Sequence, residues 1–276
     1  MGYNVVYGGT RIFNLAQGQV LMVGVMLTWF FRESLGLPAI VAIVIASLGA
    51  GITNVLVERL AVAPLYLRKN VGEHTHLLGA FITTLGAAIV LQNLANLVWG
   101  HEALPFQQYF DLSGLHIGGV TITAQQTLMV AVAGLTVVAY ELFTTRTRWG
   151  TALQAMSEDS EAAMLRGVPI VRGRMLAFGL AGIISGLGGA VIGPVAFANP
   201  NVGFEFGLKG FVAIAIGGFG STTGALAGGL ILGITEALMV TFGDDQYRAF
   251  ASLLLMLVVL LVRPRGIAGR YSLRAV

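Results

Sequence analysis

The chain contains no cysteine, so disulfide chemistry, thiol catalysis and cysteine-type metal sites are all excluded. Charge is scarce as well: only 11% of the 276 residues are Asp, Glu, Lys or Arg, against roughly 25% in an ordinary soluble domain. Lysine is rarer still, being present only at Lys69 and Lys209. Neither follows a glycine, so no Gly-Lys-Ser/Thr phosphate-binding loop exists. There is no His-Glu-x-x-His zinc motif. His74 and His76 are two residues apart, which puts them off a common helix face. A net charge of +3 gives no reason to expect nucleic acid as a partner. The first ten residues lack the basic n-region of a secretory signal peptide and are too short to cross a bilayer. They look like the tail of a helix whose beginning is absent.

What is abundant is apolar sequence. Hydrophobic residues make up 56% of the chain, glycine supplies 38 residues, and the mean hydropathy is +0.81. A soluble core cannot absorb that much apolar surface, which makes this an integral membrane protein, all-α in class. At about 20 residues per span, eight candidates emerge: Ile12–Phe31, Pro38–Val57, His76–Trp99, Thr121–Phe143, Met175–Ala198, Phe204–Gly220, Gly224–Phe242 and Tyr247–Val262. The sixth is short and studded with glycine, so a broken or tilted helix is expected there. Gly-x-x-x-Gly spacings at Gly182/Gly186, Gly189/Gly193, Gly224/Gly228 and Gly229/Gly233 allow close helix approach. Ordinary intramolecular packing is the expected use of these seams. The segment Gly100–Val120 carries no Lys or Arg and contains Pro105 and Asp111, consistent with an external hairpin or a plain connector.

Orientation follows from where the cations fall. If Ile12 begins on the cytoplasmic side, alternation places segments 1–11, 58–75, 144–174 and 263–276 inside. Thirteen of the sixteen Lys and Arg then lie on that side, and only Arg32, Lys209 and Arg248 lie elsewhere. The positive-inside rule therefore puts the C-terminus in the cytoplasm.

The longest polar interruption is Thr144–Arg174, with five arginines (Arg146, Arg148, Arg166, Arg172, Arg174) and an acidic group at Glu158, Asp159 and Glu161. Thr151 with Gln154 reads as a capping box opening one short helix. Asp159 reads as the N-cap of a second, with Glu161 favoured in its first turn. Gly167 suits a left-handed helix end, and Pro169 stops continuation. Two short helices presenting Ala152, Ala155, Ala162 and Ala163 suit either a partner's groove or a solvated connector, and the residues alone leave both open.

Inside the spans, charged residues are functional candidates by default. Glu236 lies 12 residues beyond Gly224 and Lys209 lies 11 before Gly220. At ~1.5 Å per residue both sit roughly 16–18 Å from one turn, so pairing across the hairpin is expected, with a structural or gating role. Asn14 and Gln17 form one polar group, and Gln92, Asn93 and Asn96 another, as candidates for lining a translocation path. Helix-to-helix hydrogen bonding is the competing reading.

Four ordered motifs carry a family resemblance. The first is Gly2, Tyr7-Gly8, Asn14-Leu15-Ala16-Gln17-Gly18 and Gly24. The second is Gly150-x4-Ala155-x2-Glu158-Asp159-x2-Ala162-Ala163-x3-Gly167-Val168. The third runs from Leu208-Lys209-x-Phe211 through Gly217-Gly218-Phe219-Gly220-Ser221, Gly224-Ala225 and Gly228-Gly229 to Glu236. The last is Arg263-Pro264-Arg265-Gly266. Together they resemble the permease subunits of branched-chain amino-acid (Liv-type) ABC importers over nearly the whole chain.

The resemblance implies a single transmembrane permease domain over 1–276, in the ABC importer permease fold, with a cytoplasmic coupling loop at 144–174. It implies no catalysis and no cofactor on this chain, with ATP and magnesium on two partner ATPase subunits. Also implied are a second related permease, an external solute-binding protein and a bacterial inner-membrane location. Gly150, Gln154, Ala155, Glu158, Asp159, Ala162 and Gly167 would form the ATPase-coupling surface. The family usually has a further helix before Gly2, often a basic residue where Gln154 stands, and often a His where Gln17 stands. The solute would be a branched-chain or other small amino acid; urea or a short amide is an alternative within the family. From other classes come a stand-alone ion-coupled carrier using Glu236 and a transport-inactive membrane scaffold.

Overall fold

The computed structural model describes residues 1–66, 73–110, 115–117, 120–242, 247–263 and 266–268. Over these it is almost wholly helical. A short α1 (Gly2–Thr10) precedes α2 (Gln17–Trp29), which continues through a π-helical turn at Phe30–Ser34. Next come α3 (Ala39–Val57), a second π turn at Glu58–Val62, α4 (Ala63–Tyr66) and α5 (Glu73–Trp99). Strands β1 (Leu115–Ile117) and β2 (Val120–Ile122) pair antiparallel. They supply the hairpin expected between Gly100 and Val120; Asp111 lies outside the described residues. The second half comprises α6 (Ala124–Arg146), α7 (Arg148–Glu158), α8 (Ser160–Leu165), α9 (Ile170–Ala196), α10 (Val202–Gly217), α11 (Thr222–Phe242) and α12 (Arg248–Val262).

Among the described residues, five helices are long and apolar enough to cross a membrane unaided: Ala39–Tyr66, His76–Trp99, Ala124–Arg146, Ile170–Ala196 and Thr222–Phe242. The other three expected spans are shorter. The first begins only at Gln17, because residues 12–16 form a turn. The sixth is one continuous helix of 16 residues rather than a broken one, stopped by Gly218 at φ 105°. The eighth has 15 residues.

The chain folds around α2. Nine of its thirteen residues are buried, and α3, α9 and α10 pack against it. Such closeness requires missing side chains at the crossings. Gly18 faces the backbone of Gly203 and Gly207, Gly24 faces Gly186, and Gly189 faces the backbone of Leu21. Gly182 in turn lies on the Ala50–Gly51 backbone of α3. The spacings at Gly182/Gly186, Gly189/Gly193 and Gly224/Gly228 are thus intramolecular seams, whereas Gly229 and Gly233 face open space.

At one end of the bundle, Asn4 of α1 clamps the α10–α11 turn, donating to Ser221 O at 2.7 Å and accepting from Gly220 N at 3.1 Å. At the opposite end, Leu104 and Ala198 exchange backbone hydrogen bonds and Phe106 packs onto Gly193. Trp29 donates to Pro105 O, and Arg32 donates to Gln108 O while stacking 4.5 Å from the Tyr109 ring. Burial pushes the Tyr109 phenol well above its ordinary pKa, overcoming the opposing pull of Arg32. Its hydroxyl donates to Ala190 O.

Gly186→Ala should destabilise the protein, because a Cβ there meets Ala50 and Ser47; overpacking of this kind costs about 1–3 kcal/mol. Gly229→Ala, with open space around it, should be neutral or slightly stabilising. Thermal unfolding of the two purified variants against the parent chain checks the contrast.

Candidate functional site

The elbow at 144–174 is built from both its ends. Thr147 has extended backbone between α6 and α7, and its hydroxyl accepts from Gly150 N at 3.0 Å. It is therefore the N-cap of α7. Thr151 instead lies inside the helix with its hydroxyl bonded to Arg148 O, so the capping box expected from Thr151 and Gln154 is not formed. The start moves four residues upstream because Gly150 lies against Phe143 O and Thr144, a contact that leaves no room for a Cβ.

Asp159 caps α8 as its sequence suggests, accepting from Glu161 N and Ala162 N, both at 3.0 Å. The far end closes as a Schellman motif: Gly167 at φ 84° donates to Met164 O, and Val168 N donates to Ala163 O. Pro169 then caps α9.

Leu153 and Met156 turn inward onto α1 and α9, packing with Ala177 and Ala163. Ala163 is thus a core residue rather than part of the presented surface. Gln154, Ala155, Glu158, Asp159, Ala162 and Gly167 are exposed, whereas Gly150 is buried. Composition drew attention to small residues and passed over Met164 and Leu165, which are 59% and 86% exposed on α8. An apolar tip on a charged elbow has the composition of a docking surface.

The elbow is tied to the bundle at two points. Arg11, in a left-handed conformation at the end of α1, donates to Ser157 O at 2.8 Å. Deeper, Arg174 at the start of α9 pairs with Glu58, which is fully buried in the second π turn, and lies 4.5 Å over the Tyr66 ring. Arg174 was counted among the arginines of the elbow, but its partner Glu58 was not singled out by the sequence. Its signal is a glutamate directly following a long apolar run. Between these ties lies a cavity of about 680 Å³ lined by Arg11, Tyr66, His76, Glu158, Asp159 and Arg174. Arg68, Lys69, Arg265, Arg270 and Arg274, which contribute to the expected cytoplasmic charge, lie outside the described residues.

Asn14 and Gln17 belong to a buried amide cluster. Asn14 donates to Gln17 and to Asn54; Asn54 donates to Gln17 and to Phe178 O. Gln17 donates to Ala181 O and to Ser185 Oγ at 2.6 Å. Asn14, Gln17 and Asn54 are each at most 2% exposed, and they lace α2, α3 and α9 together. Asn54, missed from sequence, is a lone amide in the apolar run of α3. Of the second group, Gln92 bonds Asn201 at 3.0 Å and Asn93 bonds its own helix at Ile89 O. Asn96 keeps a buried carbonyl oxygen without a hydrogen-bond partner among the described residues.

Lys209 Nζ lies 3.3 Å from Glu236 Oε2, so α10 and α11 do bring these residues together. Two further members extend the group. Glu205, one turn before Lys209, also lies 3.3 Å from its Nζ, and Ser252 of α12 donates to Glu236 at 2.8 Å. Among the described residues, no group of three His, Cys, Asp or Glu could hold a metal ion.

Comparison with known proteins gives a consistent result. A family described as branched-chain amino acid transport system / permease component matches residues 1–262. The high-affinity branched-chain amino acid transport system permease protein LivH of Escherichia coli (strain K12) is 32% identical over 289 residues, covering 98% of this chain and 90% of that protein. LivH of Salmonella typhimurium is 32% identical over 283 residues with the same coverage. BraD of Pseudomonas aeruginosa, of the same description, is 31% identical over 285 residues, again at 98% and 90%. No solved structure matches the chain.

Arg174→Met should strand the Glu58 carboxylate in the core, and breaking one side of a buried pair costs about 3–5 kcal/mol. The double variant Glu58→Leu/Arg174→Met should recover most of that loss. A double-mutant cycle on thermal or denaturant unfolding measures the coupling.

Proposed function

The chain belongs to the branched-chain amino-acid transport permease family, and on that premise we propose that it is the membrane-spanning subunit of an ABC importer for branched-chain or other small amino acids. It carries out no chemistry itself. ATP and its magnesium are held by two partner ATPase subunits, a second related permease completes the conduit, and an external solute-binding protein delivers the solute. The setting is the bacterial inner membrane, with the elbow and C-terminus facing the cytoplasm.

The observation that supports this reading is similarity along nearly the full length to proteins named as permeases of such systems. The mechanical side follows from the elbow. Its outer surface offers Met164, Leu165, Glu158 and Asp159 to a partner, while Leu153 and Met156 are embedded against α1 and α9. A rigid packed contact transmits displacement instead of absorbing it. Movement of an ATPase subunit that grips the elbow is therefore passed to α9, the helix packed most extensively on α2 and α3. Gly150, buried against α6, fixes the angle of the elbow, and Gly167 closes its far end.

The test is reconstitution of the complex in proteoliposomes with leucine-loaded binding protein. Uptake should require hydrolysable ATP. Leu165→Glu, at an exposed apolar position, should leave the thermal stability of this chain unchanged, yet reduce ATPase co-purification and uptake by roughly tenfold or more, as loss of an interface hot spot does. Leucine accumulation without nucleotide, or full activity of the variant, overturns the proposal.

A further inference from the structure

The Glu205–Lys209–Glu236–Ser252 group spans α10, α11 and α12, and its charges do not cancel. Lys209 supplies one positive charge against two carboxylates, both 3.3 Å from its ammonium. The two carboxylates differ. Glu236 is only 15% exposed and accepts a second hydrogen bond from Ser252, so it is the fixed counter-ion. Glu205 is 62% exposed and reaches Lys209 as an i,i+4 helical neighbour, an arrangement of small intrinsic strength. With Lys209 already neutralised by Glu236, the charge on Glu205 is in surplus among the described residues.

Position adds to this. The elbow marks one face of the bundle, and α9 runs 27 residues away from it before α10 begins; at ~1.5 Å per residue that is the full thickness of a bilayer. Glu205 therefore sits in the first turn of α10 at the face opposite the elbow, and Lys209 about 6 Å deeper. A carboxylate held there by a lysine at membrane depth faces water or protein, because hydrocarbon excludes it. Leu208, 39% exposed, lies one turn along at the i, i+3 spacing, and Phe204, 68% exposed, is the chain neighbour of Glu205 and stands i, i+4 from Leu208. The helix thus sets one surplus negative charge beside an apolar strip formed by Phe204 and Leu208.

From this geometry, and resting on the functional reading above, we infer that Glu205 is a solute contact on the entry side of the path. It takes the ammonium group of an incoming α-amino acid while Phe204 and Leu208 receive its aliphatic side chain. Lys209 is a positioning residue: it holds the Glu205 carboxylate in place and, being neutralised from behind by Glu236, leaves that carboxylate free to exchange partners. The contact is weak by construction, as an entry contact must be if the solute is to move on.

The experiment uses the complete complex in proteoliposomes and compares Glu205→Gln, Glu205→Asp and, as a control carboxylate on the same face, the exposed Glu102→Gln. Three readouts are taken: leucine uptake, ATP hydrolysis stimulated by leucine-loaded binding protein, and yield of assembled complex. Glu205→Gln should lower uptake by roughly tenfold, the scale of one lost charge-assisted hydrogen bond, with hydrolysis and yield within about twofold of the parent. Glu205→Asp should recover much of the uptake, and Glu102→Gln should change nothing. Unchanged uptake in Glu205→Gln overturns the inference. So does a parallel fall of uptake, hydrolysis and yield, which would make Glu205 a contact to the neighbouring permease. Failure of the functional reading has a separate signature: the parent complex then takes up no amino acid at all, and the inference falls with it.

Discussion

Contact between helix backbones, with almost no side chain between them, is the constraint from which the rest of this structure follows. Helix α2 can be surrounded by α3, α9 and α10 only because Gly18, Gly24, Gly186, Gly189, Gly203 and Gly207 remove the obstacles at the crossings. In a membrane the surrounding lipid is as apolar as the helices, so close packing and hydrogen bonding have to supply the adhesion that water supplies elsewhere. The glycine seams provide the first and the Asn14–Gln17–Asn54–Ser185 cluster provides the second, at the same helix junction. Every amide donor in that cluster finds an acceptor within the protein, a condition that hydrocarbon burial enforces.

The elbow is held to this bundle by contacts of two kinds. Leu153 and Met156 give shape-matched packing against α1 and α9, and the Glu58–Arg174 pair gives a charged link at the base. The π turn at Glu58–Val62 is what places Glu58 inside. A π turn shifts side chains relative to the preceding helix, a device often found at functional positions. Glu58 is thereby directed toward Arg174 instead of continuing the lipid-facing stripe to which Leu56 and Leu60 belong.

Much of this was legible in the sequence, and the reasons differ by element. Long apolar runs located the helices, since burial in lipid requires that pattern whatever the fold. Asp159 and Gly167 announced the start and end of α8, because capping chemistry is local. Thr151 misled for the same reason in reverse: its spacing to Gln154 suits a cap, but the close packing of Gly150 on Phe143 and Thr144 moves the start to Thr147, and that packing is tertiary. The depth of Lys209 and Glu236 could be counted from one shared turn. Glu205 and Ser252 could not be added, since spacing alone does not say which i,i+4 neighbour reaches Lys209 and the serine lies on a third helix. Asn14 and Gln17 were visible as polar residues in an apolar setting, but only three-dimensional contacts place them within a closed network. Asn54 and Arg174 complete their groups from segments 37 to 116 residues away along the chain, a separation no local pattern encodes.

Helix α6 joins the two ends of the molecule in an unusual way. It starts at a full capping box, Thr123 with Gln126, beside the β-hairpin, and is pinned there by Gln125 donating to Val191 O. Little else of it is buried, and only Thr147 separates its last residue from the first of α7. A rod fixed at both tips, with a one-residue knuckle at the lower one, has no slack to absorb rotation there. A swing of the elbow therefore reappears at the opposite surface as a tug on the hairpin, some 34 Å away at ~1.5 Å per residue, so that the two faces of the bundle share one axle.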